Sequence, residues 1–337
     1  MKRAVVLAVD GGNSKTDVAL VDSRGSVLAA VRGPGCSPHM LGLEGSMKVV
    51  DELIDRACDA AGIRGRNPIA DCGAWFMAGA DLPAEERALQ RAIDRLGRAS
   101  HNSVANDTFA LLRAGADDGW GVAAVVGAGI NCVGLSPDGR RARFLSLGRV
   151  SGDWGGGADI GLAALGAAVQ AEEGRAPATR LRDDISDHFQ RRRASDVAIA
   201  FHQHRFHHDR LRELAPIVVA AAEGGDAAAI DILNRQAAEI VSWIVGAIRR
   251  LRIARLDVPV VLGGSILAAL PQPFIDRIEA GVRQVAPSAT TTVCRDRPVV
   301  GAALAALDLA GADRAAHRKV RTILNDGRIQ QVPTTWK

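Results

Sequence analysis

Seven consecutive residues near the start of the chain have the types needed to bind a phosphate group and a metal ion. In order they are Asp10, Gly11, Gly12, Asn13, Ser14, Lys15 and Thr16. The two glycines let the backbone approach an anion closely, and the successive N–H groups with the serine and threonine hydroxyls can surround phosphate oxygens. The aspartate ends a predicted strand, where it can hold a hydrated Mg²⁺, and the lysine adds positive charge. An ordinary hairpin turn is the alternative explanation of this segment.

Two more glycine-rich turns follow in the second half of the chain. One contains Gly127, Ala128, Gly129, Ile130 and Asn131, and the other contains Gly263, Gly264 and Ser265 after a short apolar run. Two phosphate turns that face each other would hold a triphosphate from both sides. A glycine corner after a buried strand can admit adenine and ribose. Each turn alone is also explained as a plain connection, so the prediction rests on the order of all three.

The elements around the first two turns repeat. Each turn lies within three short apolar runs, at residues 2–9, 18–21 and 26–31 and again at residues 122–126, 132–135 and 143–147. Because a strand rather than a helix follows the first glycine turn, the pattern is not that of a dinucleotide-binding unit. The repeat predicts two related domains, each beginning with a three-stranded antiparallel meander.

Helices and further strands complete each predicted domain. Apolar spacing and flanking proline or glycine residues predict helices at 46–61, 83–96, 108–114, 159–173, 210–223, 227–251, 266–269, 273–286 and 298–310, and strands at 70–78, 103–105 and 258–262. We predict an N-terminal domain over residues 1–117, a C-terminal domain over 118–311 and a polar tail over 312–337. The last helix is expected to pack near the domain junction.

Composition excludes several classes of protein. The 337 residues carry 42 basic and 38 acidic side chains, which are interspersed, and only 4% of residues are aromatic, so a nucleic-acid-binding protein is disfavoured. No apolar run approaches the ~20 residues of a spanning helix, and residues 4–9 are too short for a signal-peptide core, so we expect a cytoplasmic protein. The five cysteines never occur as C-x-x-C, which argues against a disulfide framework or zinc ribbon.

The three turns in this order resemble the sugar kinase, Hsp70 and actin superfamily. Within it the chain is most similar to the BadF/BadG/BcrA/BcrD ATPase family, in its N-acetylglucosamine kinase-like branch. The resemblance is most specific at Asp10–Thr16, Asn106-Asp107, residues 150–157 and residues 298–302. It implies an α/β fold of duplicated ribonuclease-H-like (actin-like ATPase) domains, each a mixed five-stranded sheet flanked by helices, with an interdomain cleft. It also implies ATP, Mg²⁺, a sugar substrate and a homodimer.

The resemblance assigns roles to particular residues. Asp107 matches the family's general base, although a helix N-cap before Thr108 is an alternative role. The positions implied to contact the sugar are Ser37, His39, Gly79, Asp81, Asn106, Asp107 and Asp153. Relatives commonly carry an asparagine where this chain has Ser37-Pro-His39, so the exact sugar stays open. Ala128, Ile130 and Trp154 also depart from the family pattern.

The expected function is an ATP- and Mg²⁺-dependent kinase that phosphorylates the primary hydroxyl of N-acetylglucosamine or glucosamine. One alternative is an ATPase activator of a CoA-ester dehydratase or reductase, which would need cysteines for an iron–sulfur cluster; only Cys132 and Cys294 lie in the relevant half. A second is a nucleotide- or sugar-binding regulator with little catalysis. The histidines between His202 and His208 are expected to be solvated rather than to bind a metal.

Overall fold

The computed structural model describes residues 6–64, 67–327 and 329–332. They form two compact units. The first contains the described residues up to Trp120 together with those from Cys294 onward, and the second is Gly121–Val293. Residues 2–5 of the first predicted strand and the last five residues of the predicted tail lie outside the described residues.

Each unit begins with three consecutive strands and continues with helices and further strands. The strands are β1 Val6–Gly11, β2 Lys15–Val21, β3 Val27–Pro34, β4 Ala70–Met77, β5 Ala99–Asn106, β6 Gly121–Val126, β7 Ile130–Leu135, β8 Arg141–Arg143, β9 Pro259–Gly263, β10 Thr290–Val293 and β11 Gln330–Gln331. The helices are α1 Pro38–Ala61, α2 Pro83–Leu96, α3 Thr108–Gly115, α4 Gly157–Glu172, α5 Leu181–His188, α6 Ala194–His202, α7 Ala215–Glu223, α8 Ala227–Leu251, α9 Ser265–Ala269, α10 Gln272–Arg283, α11 Pro298–Leu309 and α12 Arg314–Asp326.

The first unit is built on a six-stranded sheet in the order β11-β3-β2-β1-β4-β5. β1, β2 and β3 form the predicted antiparallel meander, and β4 and β5 run parallel to β1. The carboxyl ends of β1, β4 and β5 therefore lie at one edge of the sheet, where ligands of open α/β sheets bind. This edge carries Asp10, the loop after Met77 and Asp107.

The second unit is built on a five-stranded sheet in the order β10-β9-β6-β7-β8. β6 pairs antiparallel with β7 and parallel with β9, so it holds the same central position that β1 holds in the first sheet. The two mixed sheets confirm the predicted α/β fold class, and the first gains a sixth strand from the C-terminal part of the chain. In the described residues, no helix combines the length and apolarity that crossing a membrane would require.

The predicted third strand of the second meander, residues 143–147, was wrong beyond its first residue. β8 ends at Arg143, and Ser146 has a φ of 49° that a strand cannot accommodate. The Ser146 hydroxyl donates to Asn131 Oδ1 at 2.6 Å, and Phe144 packs against Trp243 with ring centroids 5.2 Å apart. These contacts turn the chain away from the sheet.

The C-terminal segments differ from the sequence prediction. α11, which the sequence places in the second domain, belongs to the first unit and packs against β1 and α3. The packing is so close that a Cβ at Gly301 would lie 1.8 Å from the Ala110 carbonyl oxygen. Most of the predicted tail is α12, which is capped by Asp313 and buries Ala316, Val320 and Leu324 on one face.

Candidate active site

The first glycine turn closes the hairpin between β1 and β2. The Gly12 N–H donates to the Lys15 carbonyl at 3.0 Å, so it closes the turn and is not directed at a ligand. A Cβ at Gly11 would lie 2.7 Å from the sulfur atoms of Cys36 and Met77, which explains the glycine. Asn13, Ser14 and Lys15 are exposed, whereas Thr16 is fully buried. Of the two hydroxyls predicted to contact phosphate, only that of Ser14 is accessible.

Buried carboxyl groups collect at the same edge of the first sheet. Burial, together with the charges of Asp107 and Asp17, raises the pKa of Asp10 to about 8, although Lys15 and Arg32 oppose the shift. Burial and the charge of Asp81 raise the pKa of Asp107 to about 6. The negative charge concentrated here favours a bound cation, and carboxylate oxygens at the rim are the hard donors that Mg²⁺ prefers. Asp10 therefore fits the predicted metal-holding role.

The sequence analysis missed an ion pair beside Asp10. In the sheet register Asp10 faces Asp17 on β2, and Asp17 faces Arg32 on β3. The Arg32 guanidinium donates to both oxygens of Asp17 at 2.6 Å, and the carboxylate is buried. Bidentate pairs of this kind fix both side chains. Only strand register brings these residues together, so sequence spacing alone gave no signal.

We expect Asp17→Ala to lower the free energy of unfolding by about 2–3 kcal/mol, because it leaves the half-buried Arg32 without its partner. Asp138→Ala, which removes the exposed pair with Arg140, should cost less than about 1 kcal/mol. Urea unfolding of both variants tests the difference. Equal losses would show that the Asp17–Arg32 pair contributes no more than a surface contact.

Asp107 lies at the start of α3, where its side chain makes no capping hydrogen bond. The Thr108 N–H instead donates to Asn106 Oδ1 at 3.0 Å, and Asn106 Nδ2 donates to Asp81 Oδ1 at 2.7 Å. The capping explanation of Asp107 is therefore wrong. Its neighbour Asn106 holds both the helix end and Asp81 in place.

The remaining predicted sugar contacts of the first unit surround the loop after β4. His39 Nε2 lies 3.1 Å from Glu85 Oε1, while the other oxygen of Glu85 accepts the N–H groups of Asp81 and Leu82. A Cβ at Gly79 would lie 3.6 Å from the His39 ring. Ser37, by contrast, is buried at the N-cap of α1. The sequence analysis missed Glu85, which joins the two loops.

Potential metal ligands form one cluster of three among the described residues. The ligand atoms of His39, Asp81 and Glu85 lie within 4.8 Å of one another. The rings of His204 and His208 lie 6.4 Å apart between centroids and belong to no such cluster within the same described ranges.

In the second unit, the second glycine turn supports the loop before α4. The Gly127 N–H donates to the Gly129 carbonyl at 2.9 Å, and the Gly127 carbonyl accepts the Gly157 N–H at 2.8 Å. A Cβ at Gly156 would lie 2.4 Å from the Ala128 carbonyl oxygen. The Asn131 Oδ1 atom is occupied within the unit, since it accepts the Ser146 hydroxyl at 2.6 Å and the Cys132 N–H at 2.8 Å.

A pocket of about 180 Å³ brings the second turn and the third glycine corner together. Gly127 and Ala128 line one side, and Ser265 with Ile266 lines another. Arg212, Pro216 and Val219 also line it, and the sequence analysis had not selected them. Their helical region carries no motif, so no sequence signal could have identified them. The pocket has the mostly apolar lining with few polar groups that is typical of small-molecule sites.

Gly264→Ala should disrupt this pocket. Gly264 has a φ of 95°, and an added Cβ would lie 2.2 Å from the Val126 carbonyl oxygen. We expect a loss of about 2–4 kcal/mol in the free energy of unfolding and weaker ATP binding, because the backbone must shift. Gly139→Ala is the matched control, with a φ of 85° and no atom within 4 Å of the added Cβ; it should cost about 1–2 kcal/mol. If urea unfolding showed the same loss of stability for both variants, the close approach of Gly264 to the Val126 carbonyl would not limit this position.

Asp153 lies in the loop before α4, and its carboxylate is occupied within the loop. One oxygen accepts the Gly148 N–H at 2.7 Å, and the other accepts the Ser151 hydroxyl at 2.9 Å. α8 holds the following residues, because the Arg235 guanidinium lies 3.8 Å above the Trp154 ring and Gln236 Nε2 donates to the Gly155 carbonyl at 2.7 Å. In this structure Asp153 shapes the loop.

The sequence model of the BadF/BadG/BcrA/BcrD ATPase family matches residues 7–306 of this chain. The chain is 27% identical over 265 residues to an N-acetylmuramic acid/N-acetylglucosamine kinase of Clostridium acetobutylicum, covering 78% of this chain and 85% of that one. It is 24% identical to an N-acetyl-D-glucosamine kinase of Dictyostelium discoideum, and the match covers 91% of this chain and 99% of that one.

Solved structures share the fold. One from Chromobacterium violaceum, assigned as an N-acetylglucosamine kinase, superposes with a TM-score of 0.68 at 24% identity, covering 90% of this chain and 99% of that one. A ROK hexokinase from Thermus thermophilus gives a TM-score of 0.53 at 19% identity, and the match covers 91% of this chain and 99% of that one.

Proposed function

Because the chain belongs to the BadF/BadG/BcrA/BcrD ATPase family, we propose that it is an ATP-dependent kinase that phosphorylates the primary hydroxyl of an amino sugar, N-acetylglucosamine or glucosamine. The observation that carries the proposal is the Asp107 carboxyl group, which makes no capping bond and lies at the sheet edge beside Asn106 and Asp81. Both curated relatives described above are kinases that act on N-acetylglucosamine.

Asp107 is the proposed general base. It accepts the proton of the sugar hydroxyl while that oxygen attacks the γ-phosphorus of ATP, and the bond from this phosphorus to the bridging oxygen of ADP breaks. A pKa of about 6 leaves most of the carboxyl ionised at neutral pH and makes it a stronger base than an ordinary aspartate. Asp81 and Asn106 orient the sugar, and His39 supplies a further contact.

Asp10 is the residue proposed to hold Mg²⁺, through water or directly. The ion, when bound, neutralises negative charge on the phosphate groups of ATP. The exposed Asn13, Ser14 and Lys15 are proposed to contact the phosphates. In the second unit we assign the second glycine turn and the corner from Gly263 to Ser265 to ATP. Ala128 provides only backbone groups there.

The alternative functions have less support. An iron–sulfur activator needs cysteine thiolates at a subunit interface, but Cys132 is fully buried in β7, where burial raises the pKa of its thiol. Cys294 belongs to the other unit. A regulator without catalysis would not need a carboxyl group of raised pKa at the sheet edge. We further propose a cytoplasmic homodimer, by analogy with the family, and light scattering in solution tests the dimer.

A coupled assay of ADP release tests the function. It compares N-acetylglucosamine, glucosamine, N-acetylmuramic acid and glucose as acceptors with a reaction that lacks sugar. We expect release to be stimulated most by one of the first two. Sugar binding without stimulated release would instead support the regulator.

A further inference from the structure

A recess of about 240 Å³ in the first unit lies outside the candidate active site and is lined mainly by basic side chains. Its arginines are Arg113, Arg314, Arg318 and Arg321. Leu304 supplies an apolar wall, and Asp117 is the acidic residue that lines it. With His317 neutral, the lining carries four positive charges and one negative charge.

The sequence of α12 places most of these charges on one side of the helix. The basic residues that follow Arg314 lie three, four and seven positions after it, at His317, Arg318 and Arg321. This spacing puts all four on one face of the helix. Like charges at such spacings repel and cost roughly 0.2–0.5 kcal/mol per pair. A bound anion would remove this cost.

The available carboxylates neutralise the cluster only in part. Arg113 donates to the two oxygens of Asp308 at 2.6 and 3.1 Å, and His317 Nε2 lies 3.3 Å from one of them, so this carboxylate has no oxygen left for the other arginines. Arg314 lies 3.4 Å from Asp118 and Arg321 lies 3.4 Å from Asp117; these carboxylates are 69% and 92% exposed, so solvent screens both pairs. Arg321 also lies 3.5 Å from Asp296, which is 21% exposed, so Arg321 is better compensated than Arg314.

Arg318 is the least compensated member of the cluster. Its side chain is exposed and makes no hydrogen bond or ion pair with any residue of the described ranges. Its guanidinium donors are therefore available to a ligand in the recess.

We propose that this recess binds a small phosphate-bearing anion. Guanidinium groups present planar sets of N–H donors that match phosphate oxygens. The volume accommodates inorganic phosphate or a compact phosphate ester, and the apolar Leu304 wall offers a surface for the ester's organic part. The recess meets α3 at Arg113, six residues after Asp107, so the anion site and the acidic candidate active site adjoin the same helix.

Isothermal titration with inorganic phosphate tests the site. The double variant Arg314→Ser/Arg318→Ser should bind phosphate at least about 10-fold more weakly than the wild type, as expected for the loss of charge-assisted contacts. Arg56→Ser/Arg91→Ser, which removes two exposed arginines elsewhere in the same unit, is the matched control and should bind as the wild type does. Equal affinity in the two double variants would overturn the proposal, because phosphate would then bind elsewhere.

A second titration with glycerol 3-phosphate, which is not a product of the proposed reaction, distinguishes the two sources of the phosphate group. Tighter binding than inorganic phosphate, weakened by Arg314→Ser/Arg318→Ser, identifies an ester site; equal weakening for both probes identifies a site for the phosphate group alone. Neither result depends on the proposed kinase activity, because binding is measured without ATP. The far-UV circular dichroism spectrum of the double variant should equal that of the wild type, which shows that the fold is intact.

Discussion

Replacing Asp107 with asparagine should lower the turnover number by about 10²–10⁴-fold and leave ATP affinity within about 2-fold of the wild type. Asparagine has nearly the same shape as aspartate, and Asn106 still holds the start of α3, but the amide cannot accept the hydroxyl proton. Steady-state kinetics with saturating sugar and a nucleotide-binding titration measure the two quantities. Asp59→Asn, an exposed carboxylate on α1, is the matched control and should behave as the wild type.

The pH profile adds a second readout to the same variant. Because only ionised Asp107 can act as a base, the wild-type kcat/KM should rise with pH and level off above about 6, the raised pKa of this carboxyl in the ligand-free protein. The Asp107→Asn variant should lack this rise. Turnover near the wild-type value, or an unchanged rise in the variant, would assign the base to another residue.

Replacing Asp10 with asparagine should lower activity and, above about pH 8, raise the free energy of unfolding relative to the wild type. Turnover should fall by about 100-fold or more, because an asparagine amide cannot ionise to hold Mg²⁺ as the Asp10 carboxyl group can. The folded protein, however, binds a proton at Asp10 more tightly than the unfolded chain does, since burial raises the pKa to about 8 from an ordinary value of 3.8. The stability this group contributes is complete below about pH 4 and is lost as the pH rises through about 8.

Urea unfolding of metal-free protein at about pH 5 and about pH 9 tests this prediction. The wild type should lose more stability between the two pH values than Asp10→Asn, by an amount on the order of several kcal/mol, since each pKa unit corresponds to about 1.4 kcal/mol. All other titrating groups are shared, so the comparison isolates Asp10. Parallel losses would show that Asp10 titrates normally and is hydrated.

Local signals predicted many of the elements well. α2 begins and ends as expected, because Pro83 fixes its first turn and Gly97 takes the left-handed conformation after it. α8 also has the predicted bounds, since its long apolar stripe leaves no ambiguity. α12 was read as a tail because its composition is polar, although three small or aliphatic residues suffice to hold it against the first unit.

The candidate site was predictable only where a motif lies within one segment. The glycine turns and Asn106-Asp107 are contiguous in sequence, so their types and order identified them. The Asp17–Arg32 pair depends on strand register, and the contact of Glu85 with His39 joins residues 46 positions apart. Thr16 is buried because β2 is covered on both faces from this residue onward, and its place at the end of the glycine motif gave no sign of that.

The identity of the reaction product is the most direct test of the central claim. Wild-type protein is incubated with ATP, Mg²⁺ and either N-acetylglucosamine or glucosamine, and the products are analysed by ³¹P and ¹H NMR. We expect ADP and a sugar monophosphate esterified at the primary hydroxyl in equal amounts, with neither formed by Asp107→Asn at a comparable rate. ADP and inorganic phosphate without any sugar phosphate would contradict it.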